Sequence, residues 1–205
     1  MLTFVALLAV LFPAPLHLTR EVTDPIGGSK TVIEEYCHGN RVVSVSGSRT
    51  AIAEYDKRTV TTIDFAAGTY SIATFDELAK AWRTPRAAAA PAMRVTPDRR
   101  HSVSREAAEV LLGIAYPAAS APEQVLSSLK SPRIATHATA GAPVEYALPL
   151  EQIIDLGEGL ELRNAVVRVG TELAPADVLA IPPGARRVEA SPLALQRIAA
   201  ELDGQ

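Results

Sequence analysis

The sequence predicts an α+β fold: a curved antiparallel β-sheet, an open half-barrel, with helices packed on its concave face. Between residues 41 and 74, short runs of β-branched and aromatic residues alternate with turn-like clusters, which is typical of an antiparallel meander. A helix start follows at Thr74. A second series of strand-like runs, over residues 143–189, precedes an amphipathic helical pattern at the C terminus.

The 205 residues are enough for one good core. The predicted organisation is a signal peptide or N-terminal anchor over residues 1–20, one half-barrel domain over residues 31–190 with a flexible insert near residues 84–102, and a C-terminal helix over residues 191–205. The net charge of −3 shows no excess of basic residues, so no nucleic-acid partner is expected. The single cysteine, Cys37, excludes an internal disulfide.

The N terminus carries an apolar run over residues 2–12, and the first charged residue is Arg20. A transmembrane helix needs about twenty apolar residues, so this run is too short to span a bilayer and has the length of the apolar segment of a secretory signal peptide. No Lys or Arg precedes the run, and no small-x-small cleavage site follows it. Because the run has the length of a signal-peptide segment, we nevertheless predict an extracytoplasmic protein, periplasmic or in the cell envelope. Two alternatives stay open: an uncleaved membrane anchor, and a buried strand or helix that begins a cytosolic fold.

The first half of the chain contains a regular series of strand and turn patterns. Strands are predicted over residues 31–37, 41–46, 50–55, 59–65 and 69–73. Turns are predicted between them, over residues 38–40, 47–48, 56–58 and 66–68. In the second strand, Val43 and Val45 alternate with Val42, which indicates a sheet with one buried face.

Two helix starts are predicted from their capping residues. Thr74 and Glu77 form a capping box ahead of a short helix that carries Leu78 and Trp82 on one face. Ser104 is the predicted cap of a second helix, which continues to residue 112. The inward face of this second helix consists of Ala107, Val110 and Leu111.

The middle of the chain is rich in Pro and Ala and weakly patterned. A linker is predicted over residues 84–91 and a turn over residues 97–102. A second loop is predicted over residues 117–122. Residues 124–130 predict one short helix. A pair of strands in part of this region stays an open alternative.

The second half of the chain returns to strand patterns. Residues 143–150 alternate apolar and polar side chains and meet Pro149, which predicts an edge strand or the end of a strand. A glycine-containing hairpin at residues 157–159 leads into the longest strand, over residues 160–173, with a β-bulge near Asn164. The remaining elements are a short apolar run, a Pro-Pro-Gly turn, a last short strand and a C-terminal helix, at residues 178–181, 182–184, 186–189 and 191–204.

One pattern extends over both halves: T-x-I-D followed by a tyrosine, and later a short apolar run, Pro, Gly and a basic pair. Its positions are Thr61, Ile63, Asp64 and Tyr70, then residues 178–181, Pro183, Gly184, Arg186 and Arg187. With the apolar N terminus, this order resembles a group of exported bacterial proteins of unknown function related to the periplasmic lipoprotein-carrier fold. The resemblance covers about half of the chain. It implies a strongly curved sheet, whose concavity holds acyl chains in the carrier proteins.

No catalytic or metal site is predicted. The four histidines, His17, His38, His101 and His137, are scattered, and none stands at metal-ligand spacing from Cys or a carboxylate. Cys37 and His38 are neighbours near a strand end and are predicted to point apart, which argues against a nucleophile pair.

Other chemistry-bearing patterns are interpreted as structural. Residues 127–130 match the Ser-x-x-Lys of penicillin-recognising acyl enzymes, but no Ser-Asp-Asn or Lys-Thr-Gly follows, so a helix surface is predicted. The charged pairs, interpreted as a strand, a helix cap and a solvated strand end, are Glu34-Glu35, Asp76-Glu77 and Arg186-Arg187.

We therefore predict a non-enzymatic extracytoplasmic protein that binds a lipid, an acyl chain or another hydrophobic ligand in the concavity of the sheet. The alternative is a tethered or secreted sensory or protein-interaction domain with a filled core, whose partner is an envelope protein. A third alternative is an enzyme whose site carries no motif. No catalytic residue, ligand-binding residue, metal or cofactor is assigned, and membrane association is expected only through an uncleaved N terminus.

Overall fold

The computed structural model describes residues 10–23, 25–77, 93–114, 145–157 and 159–190. The strands are β1 (Phe12–Thr23), β2 (Lys30–Gly39), β3 (Arg41–Ser46), β4 (Arg49–Glu54), β5 (Thr59–Asp64), β6 (Thr69–Thr74), β7 (Met93–Ser104), β8 (Glu145–Gly157), β9 (Leu160–Gly170) and β10 (Arg186–Arg187). The helices are α1 (Arg105–Ile114) and the short α2 (Ala176–Leu179), and residues 75–77 are also helical.

Several sequence predictions lie outside the described residues. They are the linker over residues 84–91, the loop over residues 117–122, the helices over residues 124–130 and 191–204, and the predicted contacts of Leu78 and Trp82.

The strands of the described residues form one sheet with the order β10-β6-β5-β4-β3-β2-β1-β9-β8-β7. Neighbouring strands are antiparallel, except that β10 pairs with β6 in parallel. Short hairpin turns connect β2 to β6 in sequence order, so each of these strands pairs with the strand that follows it. The predicted antiparallel sheet is confirmed.

The meander from β3 to β6 is confirmed, with strand limits that differ from the predicted ones by about one residue. Gly47 turns the chain between β3 and β4 with a φ of 55°, a left-handed conformation that glycine adopts without strain. Val43 pairs with Ile52 on one face of the sheet, and Val42 pairs with Ala53 on the other. The predicted alternation in β3 is therefore correct.

Both predicted helix caps are confirmed. The Thr74 amide donates to Glu77 Oε2 at 2.7 Å, and the Glu77 amide donates to Thr74 Oγ1 at 3.2 Å, which are the reciprocal bonds of a capping box. The Ala107 amide donates to Ser104 Oγ at 3.1 Å at the start of α1. A cap depends on residues three positions apart, which explains why it could be predicted locally.

Strand β1 lies inside the sheet, between β2 and β9. The side chains of Leu11, Phe12 and Leu18 are buried in the core. Residues 12–20 of the predicted N-terminal segment thus belong to the sheet, and the folded domain begins before residue 31, its predicted start. In the part of the chain that the structure describes, no helix is both long enough and apolar enough to cross a bilayer.

Residues 97–102, predicted as a turn, belong to strand β7, which pairs with β8 at residues 93–98 and 102–104; in this part of the middle region the alternative of strands is the correct one. The register of this pairing shifts before Pro97 and again after Asp98, and Pro97 faces Pro149. Neither proline has an amide hydrogen to donate to the partner strand. Because the hydrogen-bond ladder between β7 and β8 is interrupted here, both prolines fit without leaving a carbonyl oxygen unpaired. Strand β8 is internal, between β7 and β9, and it continues past Pro149 to Gly157, so the predictions of an edge strand and of a strand end at Pro149 are both wrong.

Strand β9 contains a bulge, as predicted, but closer to its C-terminal end. Thr19 of β1 pairs with Arg168, whereas the next residue, Arg20, pairs with Val166. Val167 is consequently the extra residue of the bulge. The bulge brings Arg168 onto the same face as the outward side chains of β1.

The sheet has two packed faces. We call the face that α1 covers the inner face, and the opposite one the outer face. The inner core combines side chains of α1 with strand residues: Ala107, Val110 and Leu111 with Leu18, Cys37, Val42, Ala53, Val60, Ala73 and Leu148, among others. The α1 side of this core matches the predicted inward face.

The outer face carries a smaller apolar cluster of Val43, Ile52 and Ile63. Residues 171–180, which follow β9 and include α2, lie over this cluster, and we call them the strap. The strap contributes Ala174, Val178 and Leu179 to the outer cluster. Burial of these side chains ties the strap to strands that precede it by more than a hundred residues in sequence.

Candidate functional site

A cleft of about 490 Å³ lies on the outer face, between the strap and the adjacent ends of β2, β3 and β4. Its apolar lining includes Tyr36, Val43, Leu173, Ala174 and Leu179. Its polar rim includes His38, Arg41, Glu54, Asp56, Lys57 and Glu172. The cleft therefore combines an apolar floor with charges of both signs.

Strand alternation explains how these side chains meet. Tyr36 and His38 are two residues apart on β2, so both point to the outer face. His38 pairs with Arg41 of β3, and Arg41 pairs with Glu54 of β4. Three consecutive strands thus place a row of polar groups along one side of the cleft.

The cations of the rim are paired with a carboxylate of the rim. Glu54 Oε1 lies 3.1 Å from Arg41 Nη2 and 2.8 Å from Lys57 Nζ. Both cations remain largely exposed to solvent, so each pair is weak, worth about 1 kcal/mol or less. The rim is therefore no concentrated anion site, and it suits a ligand that carries both charges.

His17 lies beside this cleft and links three elements. Its ring is stacked on that of Tyr36, with centroids 4.2 Å apart and an interplanar angle of 12°. Nε2 lies 2.6 Å from Glu34 Oε2 of β2, and Nδ1 lies 3.1 Å from Glu172 Oε2 of the strap. The His17 side chain is only 6% exposed. These four residues, His17, Glu34, Tyr36 and Glu172, are called the His17 cluster below.

Both ring nitrogens of His17 face carboxylate oxygens. An ionised carboxylate accepts hydrogen bonds and cannot donate one, so both bonds form only when each ring nitrogen carries a proton. A neutral imidazole can donate only one of the two bonds. Thr19 Oγ1 also donates to Glu34 Oε2, at 2.8 Å, which gives Glu34 a second partner.

The surroundings shift the pKa values of two groups next to His17, Glu172 and Tyr36. The pKa of Glu172 is lowered, first by a hydrogen bond from its own backbone amide and next by the hydrogen bond from His17, with Arg168 also nearby. The pKa of Tyr36 is raised, chiefly by burial and then by the charges of Glu34 and Glu172. Both shifts favour an ionised carboxylate beside a neutral phenol.

The His17 cluster has the parts of a charge relay but no nucleophile in it. The two carboxylates lie at opposite ring nitrogens, so they cannot converge with the imidazole on one metal ion. In the described ranges, no group of three or more His, Cys, Asp or Glu side chains could hold a metal ion. The arrangement is instead suited to joining β1, β2 and the strap through charge-assisted hydrogen bonds.

Cys37 borders the cleft, but its thiol is buried in the inner core, while the neighbouring His38 lines the cleft on the outer face. The prediction that the two side chains point apart is therefore correct. Burial raises the pKa of the Cys37 thiol well above its ordinary value, and the Glu35 charge raises it further. A protonated, enclosed thiol is a poor nucleophile.

The inner face holds a buried polar group that the sequence did not reveal. Arg20 Nε donates to Glu35 Oε2 at 2.6 Å, and Asn164 Nδ2 donates to Gln152 Oε1 at 2.8 Å. All four side chains are at most 1% exposed. In the sequence, each of these four residues looks like a solvent-exposed strand residue, because the inner face is buried only by tertiary packing.

The remaining predicted positions are distributed over the fold. His101 Nδ1 lies 2.7 Å from Asp98 Oδ2 on β7, remote from His17 in the sheet order. Asp76 pairs with Arg58 at 3.1 Å, and Glu77 belongs to its capping box. Glu34 and Glu35 point to opposite faces, as neighbours on a strand do. Arg186 and Arg187 form the exposed strand β10, while His137 and residues 127–130 lie outside the described residues.

Sequence reasoning missed Glu172 and the pairing of His17. The two residues are 155 positions apart, and no local pattern connects them. The only signal was a histidine at a position where strand alternation continues on both sides.

The described residues define a large, mostly antiparallel β-sheet protein. No family model matches the chain, and no curated protein matches it. Two solved structures of PNGF-II, in space groups C2 and P2₁, are similar over 92% of this chain, with TM-scores of 0.41 and 0.40 and identities of 8% and 9%. The chain spans about a third of the length of PNGF-II, 33% and 34% in the two structures. A similarity at this level is no basis for assigning a function.

Proposed function

We propose that this protein is a non-enzymatic binding domain of the cell envelope, and that the cleft on its outer face binds a segment of a partner protein. The observation that supports this is the composition of the cleft. A volume of about 490 Å³ accommodates a few side chains, and its floor is apolar while its rim carries both charges. A peptide segment supplies apolar and charged groups together, whereas an acyl chain supplies only the former.

The finer fold is part of the same proposal. A curved half-barrel with helices on its concave face, related to the lipoprotein-carrier fold, is consistent with the packing of α1 on the inner face. In that arrangement Leu111 and Leu148, which are fully buried, fill the space between α1 and the sheet. The packing of α1 on the inner face favours partner binding over a lipid in the concavity, which is the competing proposal.

The extracytoplasmic location rests only on the apolar composition of residues 2–12, of which Leu11 and Phe12 belong to the inner core. It is tested by fractionating cells that produce the full chain and by measuring the mass of the purified protein. We expect the protein in the envelope fraction. Recovery of all the protein from the cytoplasm would contradict the location without affecting the proposal for the cleft.

Site-specific photo-crosslinking tests the cleft. A photoreactive amino acid replaces Leu173, which lines the cleft and is 60% exposed, or Leu160, an exposed control in the β8–β9 hairpin. We expect one discrete cross-linked protein from position 173 and none from position 160. The same species should disappear when Arg41→Glu and Lys57→Glu reverse two charges of the rim.

Native mass spectrometry of the same preparation tests the competing proposal. A mass excess that leaves with organic solvent would indicate a bound lipid and overturn the choice of a protein partner over a lipid. Equal cross-linking at positions 173 and 160 would show contact without a specific site, which would overturn the assignment of the cleft.

A further inference from the structure

Four buried polar side chains form a row on the inner face. Glu35 lies on β2, Arg20 on β1, Asn164 on β9 and Gln152 on β8, which are consecutive strands of the sheet. Glu35 and Asn164 each stand two positions from a residue that pairs directly with Arg20. Diagonal neighbours on one face of a sheet are within reach of long side chains. Arg20 therefore lies between an ion pair and an amide pair, and we call the four residues the inner polar row.

Each pair of the row forms one hydrogen bond where its geometry allows two. In the ion pair, Arg20 Nε donates to Glu35 Oε2 at 2.6 Å, while Arg20 Nη1, Arg20 Nη2 and Glu35 Oε1 have no partner among the described residues. In the amide pair, Asn164 Nδ2 donates to Gln152 Oε1 at 2.8 Å, while Gln152 Nε2 and Asn164 Oδ1 have no partner there either. Both pairs therefore leave N–H donors and an acceptor oxygen on side chains that already touch.

A fifth polar group adjoins the ion pair. The side chain of Tyr55 belongs to the inner core, and its hydroxyl has no hydrogen-bond partner in the described part of the chain. Burial raises the pKa of Tyr55 well above its ordinary value, and the nearby Cys37 and Glu35 raise it further. A phenol can both donate and accept a hydrogen bond. Glu35 Oε1 thus has two donor-bearing side chains near it, those of Arg20 and Tyr55, and is bonded to neither.

These polar atoms are closed off from bulk solvent. The side chains of the inner polar row are at most 1% exposed, and Tyr55 is 7% exposed. Leu18 and Val22, which flank Arg20 on the same face of β1, are buried as completely. Enclosing a polar atom without a hydrogen bond forfeits its hydration, and native proteins rarely leave such atoms unpaired. The side chains therefore require a hydrogen-bonding partner that the described residues do not supply.

We propose that the inner polar row and Tyr55 form a closed binding site for water, in which water molecules complete both the ion pair and the amide pair. The unpaired groups include guanidinium and amide donors as well as oxygens that only accept, so the occupant must accept and donate. Water does both and is small enough for an enclosed site. A buried water usually forms about 2–4 hydrogen bonds, and Arg20, Glu35 and Tyr55 together offer such a set.

Other occupants fit this site less well. An anion would find the guanidinium of Arg20 already neutralised by Glu35, so it would be enclosed without a counter-charge of its own. An acyl chain would displace the water and replace none of its hydrogen bonds. The site therefore makes the part of the inner face formed by β2, β1, β9 and β8 unfavourable for an apolar ligand.

Nuclear Overhauser spectra, recorded in the laboratory and rotating frames on the isotope-labelled full chain, test for the bound water. We expect dipolar cross-peaks between water and the Nε2 protons of Gln152, and between water and the Nη protons of Arg20. The rotating-frame spectrum separates these contacts from proton exchange, which gives cross-peaks of the opposite sign. A missing contact at either side chain would overturn the site at that pair. A crystal structure in which both pairs close directly, without water between them, would overturn the proposal as a whole.

Relaxation dispersion of the water oxygen measures long-lived internal water, and variants assign it to the site. The double variant Asn164→Leu, Gln152→Met replaces every polar side-chain atom of the amide pair with apolar groups of similar size. We expect its dispersion amplitude to fall by the equivalent of at least one water molecule. An unchanged amplitude would contradict the site at the amide pair.

Thr50→Val is the matched control. Thr50 is 1% exposed, and its Oγ1 has no partner among the described residues, but it pairs with Ile63 of the outer cluster, on the opposite face from the row. This variant should keep the wild-type amplitude, and a loss equal to that of the double variant would overturn the assignment to the inner face. The wild-type spectra decide the question even where a variant does not fold. Failure of the cross-linking from position 173 would count against the partner-binding function alone.

Discussion

Arg20 on β1 and Glu35 on β2 form an ion pair of 2.6 Å that is enclosed by the inner core, with side-chain exposures of 0% and 1%. Their strands are adjacent, and Arg20 lies diagonally across from Glu35, because Glu35 itself pairs with Leu18. The terminal nitrogens Nη1 and Nη2 of Arg20 and Oε1 of Glu35 have no further hydrogen-bond partner among the described residues. Such a pair contributes less to the free energy of folding than its short distance suggests, because burying both charges costs their hydration free energy.

Removing one partner of this pair should be strongly destabilising. Glu35→Gln leaves the Arg20 guanidinium buried without a counter-charge, and we expect a loss of about 3–5 kcal/mol in the free energy of unfolding. Chemical denaturation followed by circular dichroism measures it. The double variant Arg20→Met, Glu35→Leu removes both charges and should recover most of the loss. Its failure to recover stability would show that the pair is net favourable.

An exposed ion pair provides the matched comparison. Arg41 and Glu54 also join adjacent strands, at 3.1 Å, but Arg41 is largely solvated. We expect Arg41→Met to change the free energy of unfolding by about 1 kcal/mol or less. A loss as large as that of Glu35→Gln would contradict the assumption that burial decides the energetics of these pairs.

The cap of α1 should contribute measurably to stability. Ser104→Ala removes the acceptor for the Ala107 amide, and we expect a loss of about 1 kcal/mol. Thermal or chemical unfolding measures this loss, with Ser102→Ala as the control, since Ser102 is exposed and lies outside the cap. Equal effects of the two substitutions would exclude a specific capping role.

Acid stability should depend on Asp98. Its pKa is held well below the usual range, first by the hydrogen bond from His101 and then by the amide and side chain of Arg100. Because the folded-state pKa is the lower one, the carboxylate stabilises the fold above the ordinary aspartate pKa of about 3.9, and this stabilisation is lost as the pH falls through the folded-state pKa.

Asp98→Asn should therefore lower stability at neutral pH and flatten the decline in acid. His101→Gln should shift the Asp98 titration upward, which carboxyl-carbon NMR detects directly. If the Asp98 resonance titrates in the ordinary range in the wild-type protein, the hydrogen bonds on β7 do not form in solution.

Cys37 should be unreactive in the folded protein. Its pKa is raised by burial and by the nearby Glu35 charge, and both effects suppress the thiolate. We expect no alkylation by iodoacetamide at neutral pH over a time in which the guanidinium-unfolded chain is fully modified. Mass spectrometry distinguishes the two. Rapid alkylation of the folded protein would show that the inner face opens around β2.

Local features of the fold were predictable from sequence because their causes lie within a few residues. The limits of β3 to β6 follow from alternating side chains between turns, and the cap at Thr74 needs only Glu77, three positions away. Prediction failed where the pairing of residues that are far apart in sequence overrides a local rule. Pro149 predicts a sheet edge, yet it lies on an internal strand, because Pro97 faces it where the ladder is interrupted.

The candidate site was hardly predictable. Tyr36 was predicted on a strand and His38 in the turn after it, whereas both lie on β2, and nothing near them in sequence indicates a cleft. Its second wall comes from the strap, more than a hundred residues later in the chain. The N-terminal segment is similar: an apolar run with few charges has the composition of an export signal and also of a buried strand, and the local pattern is the same for both.

Sequence alone thus determined the strands and turns of the β3–β6 meander, both helix caps and the two-sided character of that meander, because backbone preferences and side-chain alternation act between near neighbours. The tertiary structure decided that β1 is internal to the sheet, which charged residues are buried, and that His17 meets Glu172 across 155 positions. These features depend on which surfaces exclude water after the chain has folded back on itself. Burial of that kind is a property of the assembled sheet and strap, and no single stretch of the chain encodes it.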